Sequence, residues 1–230
     1  MSEIIKKIKR ALLRFRLQPI RVFCFHQVSE EFDENSMWKC DWMQTDVFKQ
    51  KVRSLNERYE FISLEEAYHH LQRNFFRFRK YAVLTADDGW ESLKNIIPWL
   101  AEQNIPLTLF VNPAYMDGIR VRERKTERFL TWSDIKQIEK AYPKIISVGS
   151  HGYVHDDTFN MNIDDFEHNI VQAEVALKYL SNKIDFYAFP YGHYRQEHLA
   201  VLSKYHLIPV LMDGVKNDYS DCSIHRENMM

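Results

Sequence analysis

The sequence predicts an α/β fold, a closed or nearly closed parallel (β/α)7 barrel in a single domain, with a basic amphipathic helix in front of it. Three observations carry that reading. Seven apolar runs of strand length recur along the 230 residues, and each is short and unalternating, as strands covered on both faces are. Helical patterns separate the runs, which is how parallel neighbours are connected. No Gly/Ser-rich linker, low-complexity tract or internal repeat interrupts the series, and 45% hydrophobic content over this length suits one core. An open doubly wound sheet is the alternative for the same pattern.

Residues 1–21 form an extension to the barrel domain, which is residues 22–230. Lys6, Lys7, Lys9, Arg10, Arg14, Arg16 and Arg21 interleave with Ile4, Ile5, Ile8, Leu12 and Phe15 at helical spacing. The segment is too short and too charged to span a bilayer and lacks the features of a secretory signal. It predicts either peripheral contact with an anionic membrane or a solvated helix capping one end of the domain.

The strands are expected at 22–25, 59–62, 81–85, 107–111, 145–149, 185–189 and 207–211. Between them Leu93, Ile96, Ile97 and Leu100 follow helical spacing. Thr131 and Asp134 read as a capping box before a helix running to Ala141. Asn162 reads as the cap of a longer helix marked by Phe166, Ile170, Ala173, Leu177 and Leu180. His69 and His70 fall on exposed helix positions and receive no role.

A net charge of -1 argues against a chain whose whole surface binds nucleic acid, though it leaves room for a local basic patch, and no nucleic-acid partner is expected. Cys24, Cys40 and Cys222 have no CxxC spacing and suggest neither a disulfide framework nor a thiolate zinc site. Together with the missing signal this predicts a cytoplasmic location, with the inner face of the membrane as the place where the extension would act.

In parallel barrels the chemistry gathers at the C-terminal ends of the strands. His26, Asp87 and Asp88, Asn112, His151 and His155, Pro190-Tyr191-Gly192, and Asp213 follow the expected strands in turn. Adjoining carboxylates at a strand end repel one another and lose water, a cost that a cation or a bound proton offsets. His151 and His155 supply nitrogen ligands, and the combination reads as a metal-dependent hydrolase. Taken singly the pieces are weaker: Gly89 with its two aspartates could be a turn that caps a helix beginning near Trp90, and loop histidines are common.

Three segments in order, Thr85-Ala86-Asp87-Asp88-Gly89, Ser150-His151-Gly152-Tyr153-Val154-His155 and Phe189-Pro190-Tyr191-Gly192, resemble the first motifs of the polysaccharide deacetylases, carbohydrate esterase family 4. Phe23-Cys24-Phe25-His26-Gln27-Val28 is similar to the Tyr-His-x-Val opening of one branch, and the resemblance runs from about Val22 to about Arg226. It implies that Asp88, His151 and His155 hold a divalent metal ion, zinc above cobalt or nickel, and that Asp87 is the general base for the attacking water. It implies a backbone oxyanion donor at Tyr191; Pro190 and Gly192 make that loop stiff and let it approach the ligand closely, His26 is a candidate substrate contact, and Trp90 offers a ring face to a sugar or is a core aromatic. Tyr115, Tyr153 and Tyr194 offer further ring faces or are core aromatics. The implied substrate is an N-acetylated amino sugar in a glycan or glycan precursor.

The chain also departs from the family pattern. Ala188 stands where an arginine often orients the base, and Arg226 is the expected substitute. The general acid is open between His225, which also reads as a surface histidine, and His26. Two other functions stay in view: a catalytically silent sugar-binding relative, and a phosphoryl-transfer domain that binds magnesium through the acidic pair alone.

Overall fold

Alternation along each strand decides how the apolar runs are used. Ile20 and Val22, Val83, Phe110, Ile184, Phe186 and Ala188, Val210 and Ile224 gather in one buried cluster. Their neighbours Phe23 and Phe25, Leu84 and Ala86, Leu107 and Leu109, Ile146 and Val148 gather in another. Side chains alternate between the faces of a strand, so the first set fills the barrel and the second packs beneath the helices. Two-sided burial is the reason the runs show no polar alternation.

The computed structural model describes residues 20–32, 34, 41–73, 79–122, 125–215, 217 and 223–229, with the side chains of 120–126 left aside. The extension expected over residues 1–21 therefore lies outside the description up to residue 19, while Ile20 and Arg21 belong to the first strand. Cys40 and Cys222 also lie outside it. In chain order the first elements are β1 (Ile20–Phe25), β2 (Gln27–Ser29), β3 (Trp42–Gln44), α1 (Thr45–Asn56), β4 (Glu60–Phe61), α2 (Leu64–Gln72) and β5 (Tyr81–Ala86). Next come α3 (Ile97–Glu102), β6 (Leu107–Val111), β7 (Ile119–Arg122), β8 (Lys125–Arg128), α4 (Trp132–Ala141) and β9 (Ile146–Ser150). The chain ends with α5 (Ile163–Leu177), β10 (Lys183–Ala188), α6 (Gln196–Lys204), β11 (Ile208–Leu211), β12 (Ile224–His225) and β13 (Glu227–Asn228).

The main sheet runs β1, β5, β6, β9, β10, β11 with every pair parallel. The short segment from Ile224 to Asn228 then closes it into a distorted barrel. Its first half pairs with β11, Leu211 opposite His225, and its second half with β1, Cys24 opposite Asn228. Arg226 sits where the partner changes, donating its N–H to Leu211 O at 2.8 Å, while Met229 N–H reaches Cys24 O at 2.8 Å. The expected barrel strand at 59–62 is corrected: β4 has two residues and pairs only with the start of β5. The closing segment takes its place in the ring. It lacks a strand-like signature because it is short and carries an arginine inward.

The helices follow their local signals. Asn162 Oδ1 accepts from Asp165 N–H at 2.9 Å, and Thr131 and Asp134 form the expected reciprocal box. The run from Leu93 to Leu100 divides instead: Glu91–Asn95 is a 3₁₀ turn, and Pro98 then enters α3 in its first turn, where its missing N–H costs nothing. Helix α2 packs Leu64, Ala67 and Leu71 into the inner cluster, and its His70 stacks on Tyr81 at the start of β5, 5.0 Å between rings. This helix therefore covers the strand-start end of the barrel. The β7–β8 hairpin was not foreseen; its base is tied to the other end by Leu130 N–H on Gly89 O at 2.7 Å and by an antiparallel bridge from Phe129 to Trp90. Among the described residues no helix is long and apolar enough to cross a membrane.

One position tests the interior packing. A methyl at Gly149 would overlap the Phe110 ring, with Cδ1 only 2.7 Å away, and would crowd Phe186 O at 3.1 Å. Gly149→Ala is expected to destabilise the fold by about 1–3 kcal/mol, read as a lower urea midpoint at unchanged slope. An unshifted midpoint would contradict this packing.

Candidate active site

At the end of β5 the backbone turns abruptly. Asp87 N–H still bonds Phe25 O at 3.0 Å, in register with β1, and then Asp88 at φ 68° and Gly89 at φ 71° take the left-handed conformation in succession. A Cβ at Gly89 would come 2.9 Å from Val111 Cγ1, so sterics and conformation both call for glycine. The turn sends the two adjoining carboxylates to different partners. Neither caps a helix, because the following 3₁₀ turn has Trp90 at its N-cap without a side-chain bond.

Asp87 faces Arg226. Arg226 Nη1 donates to Asp87 Oδ1 at 2.6 Å and to Thr85 Oγ1 at 3.1 Å, and Nη2 donates to Asp87 Oδ2 at 2.9 Å. Both residues are buried, at 2% and 4% exposure, and the guanidinium lies over the Phe110 ring with its Cζ 5.3 Å from the centroid. Burial alone would push the Asp87 carboxyl up; the Arg226 charge, followed by His151 and the paired hydrogen bonds, outweighs it and holds the pKa at about 2. Arg226 itself is raised above its ordinary value against the same burial, chiefly by Asp87. The arginine missing at Ala188 is thus supplied from the closing strand.

Asp88 faces the histidines. Its Oδ1 lies 3.4 Å from His151 Nε2 and 3.2 Å from His155 Nε2, and is buried without a hydrogen-bond partner. Ligands held at 2.0–2.1 Å around a tetrahedral ion stand roughly 3.3 Å apart, so this donor set fits a divalent cation at its centre. His151 Nδ1 lies 2.8 Å from Ala188 O, and a carbonyl can only accept, so Nδ1 carries a proton and Nε2 is the nitrogen left to face Asp88. Burial lowers the His155 pKa to about 4 despite the pull of Asp88, which keeps that ring neutral. Asn112 fixes the turn between the two rings by donating Nδ2 to His151 O at 2.6 Å and Gly152 O at 3.1 Å. His155 N–H is held by Tyr115 Oη at 3.0 Å.

A cavity of about 220 Å³ opens over these groups. Asp87, Asp88, His151, His155, His26 and Tyr191 all line it. His26 approaches Asp87 so closely that its ring nitrogen, a carboxylate oxygen and Cys24 Sγ lie within 4.8 Å of one another, and its Nδ1 is buried without a partner. Pro190 and Gly192 frame a tight turn in which Gly192 N–H bonds Phe189 O at 2.9 Å, and Tyr191 between them stands at φ 58° with its ring edge-on to His155, 4.5 Å between centroids. Trp90 lines the wall at 5% exposure, its ring stacked on Phe129.

His225 is placed apart from this group. It is 7% exposed, which corrects the reading as a surface residue, and it does not line the cavity. Its Nδ1 lies 2.9 Å from both carboxylate oxygens of Asp213. Strand alternation explains the difference, since Arg226 turns inward and the residue before it turns out. Sequence reading missed the parts of Asn112 and of the Trp90 N–H. The signal for Asn112 was present in its place after β6, but neither hydrogen bond has a sequence signature.

With this geometry in place, comparison with known proteins gives a consistent result. The family model described as polysaccharide deacetylase matches residues 77–210. IcaB from Ammonifex degensii superposes with a TM-score of 0.78 at 20% identity, covering 93% of this chain and 92% of that one. The Streptococcus pyogenes deacetylase PplD in complex with acetate gives 0.76 at 20% identity, over 92% of each chain. The de-N-acetylase from Aggregatibacter actinomycetemcomitans gives 0.74 at 14% identity, over 90% and 94%. At these identities the likeness is one of fold. No protein with a curated description matches the chain.

The ion pair makes a stability prediction. Arg226→Met strands a buried carboxylate and is expected to cost about 3–5 kcal/mol, most of it recovered when Asp87→Asn is added. Asp87 has its pKa lowered from 3.8 to about 2, so its ionised form contributes stability that is complete above pH 3.8 and lost as pH falls toward 2. At about 1.4 kcal/mol per unit this amounts to about 2 kcal/mol. Denaturation of native and Arg226→Met protein from pH 6 to pH 2 should show the gap closing as pH falls; a constant gap would refute the pairing.

Proposed function

The chain belongs to the polysaccharide deacetylase family, and we propose that it hydrolyses the N-acetyl group of an amino sugar in a glycan or glycan precursor, with a divalent cation, zinc foremost, held by Asp88, His151 and His155. The observation that carries this is the division of labour between two neighbouring carboxylates: Asp88 Oδ1 converges with two imidazole nitrogens, while Asp87 is held ionised by Arg226. A phosphoryl-transfer site for magnesium would favour oxygen donors and leave the imidazoles without a use.

The cation, when bound, supplies Lewis acidity that lowers the pKa of a water molecule and polarises the acetyl carbonyl. The side chains supply the rest. Asp87 stays ionised at neutral pH and is oriented by two hydrogen bonds, so it accepts the proton that the attacking water releases. The left-handed Tyr191 turn brings backbone to the cavity, where the Tyr191 N–H serves as donor to the developing oxyanion. His26, beside Asp87 and lining the cavity, is the group placed to protonate the departing amine, in preference to His225. The acetate-bound deacetylase among the structures of the same fold supports an acetyl group as the one removed.

Protein reloaded with zinc, cobalt or nickel is expected to release acetate from N-acetylglucosamine-containing oligosaccharides. Asp87→Asn should slow release by about 10²–10⁴-fold with metal still bound, as loss of a general base does. Metal-loaded native protein that releases no acetate from a broad panel would sink the proposal.

A further inference from the structure

The Asp88 carboxylate has two oxygens, and the structure treats them differently. Oδ1 points at the two histidine nitrogens, whereas Oδ2 accepts the indole N–H of Trp90 at 2.9 Å. We propose that Trp90 is a positioning residue for the cation site: its N–H engages Oδ2 and so presents Asp88 to the ion through one oxygen. This rests on the metal-dependent reading above and goes beyond it, because it assigns Trp90 to the ligand and not to the sugar.

The indole is suited to that task and fixed in place for it. Its Nε1–H is a donor only, so the bond has one direction and cannot invert. The two successive left-handed residues, Asp88 and Gly89, fold the chain back so that the side chain two positions on reaches the carboxylate. The ring is 5% exposed and stacked on Phe129, with 4.7 Å between centroids and 28° between planes. The Trp90 backbone also bridges to Phe129, and Leu130 N–H holds Gly89 O. The segment that follows the β7–β8 hairpin therefore braces both the ring and the backbone of the turn that carries Asp88.

Without the donor, Oδ2, on a side chain 14% exposed at the cavity wall, loses its hydrogen bond to protein and the carboxylate gains freedom to rotate. Rotation would bring both oxygens toward the ion and fill a position that water or the acetamide oxygen needs. Partners that orient a metal ligand in this way are worth about 10–100-fold in affinity.

Zinc titration against a chromophoric chelator tests this in the full chain. Trp90→Phe keeps a ring on Phe129 and removes the donor; it is expected to weaken zinc binding by about 10–100-fold while the melting temperature of the metal-free protein stays near native. Should Trp90→Phe fold poorly, a benzothienylalanine at position 90 replaces N–H by sulfur at constant shape and should weaken zinc equally. Cobalt-loaded Trp90→Phe should show weaker visible bands, as a rise in coordination number produces. Zinc affinity within two-fold of native in the well-folded variants overturns the assignment alone. Native protein that binds no zinc overturns the metal reading and this inference with it.

Discussion

A carboxylate that is to stay ionised in the wall of a cavity has burial against it. Asp87 at 4% exposure overcomes this through Arg226, which gives it two hydrogen bonds and a charge that no change of pH near neutrality removes. The rest of the molecule is arranged around that contact. Arg226 occupies the residue at which Ile224–Asn228 passes from β11 to β1, so the segment that closes the barrel is also the one that delivers the cation. Phe110 offers its ring beneath the guanidinium, and Gly149 leaves room for that ring. A lysine would place a single charge where this site uses a planar fork.

Two aspartates in sequence would ordinarily raise one another's pKa. Here both are lowered against the burial that would raise them, Asp87 chiefly by the Arg226 charge and Asp88 chiefly by the pull of His155 and His151, and the backbone gives each its own surroundings. Asp87 keeps its N–H on Phe25 O and meets Arg226 alongside Thr85, while Asp88 at φ 68° turns toward His151 and His155. One carboxylate is paired with a permanent cation from the protein, and the other converges with two imidazole nitrogens. Two unlike roles then arise from identical side chains, through conformation alone.

Much of this could be read from residue order. The inner strands announce themselves because two-sided burial forces unbroken apolar runs, and the strands at 107–111 and 81–85 emerge within a residue of their expected bounds. Asp87, Asp88, His151 and His155 were legible because polar ligands at successive strand ends converge in a parallel barrel. What stayed hidden has a common cause: it depends on pairing across distance. The closing segment is five residues long and polar at its centre, so period and propensity say nothing of it. Tyr59–Ile62 shows a better strand pattern yet contributes only the two-residue β4, because the edge of β5 beyond Ala82 is taken by β6. His225 and Arg226 differ in use only by the face of a strand whose register no local signal sets.

Backbone strain marks the same boundary between framework and site. Four residues other than glycine have positive φ: Asp88, Asn104, Tyr191 and His206, among those described. Asn104 and His206 follow α3 and α6, where Ile105 N–H returns to Leu100 O and Leu207 N–H to Leu202 O, each at 2.9 Å; a left-handed residue is the ordinary way to end a helix. Asp88 instead follows β5, and Tyr191 lies in the turn after β10 that Gly192 N–H closes on Phe189 O, where glycine is the usual residue at positive φ. Each costs about 1–2 kcal/mol relative to right-handed backbone, and glycine would avoid the cost. Both positions carry side chains that glycine lacks and the site uses: the Asp88 carboxylate against two imidazoles, and the Tyr191 ring against His155. Strain is therefore retained where a side chain has to leave the strand at an angle that the allowed regions do not provide, and the rest of the barrel holds it there.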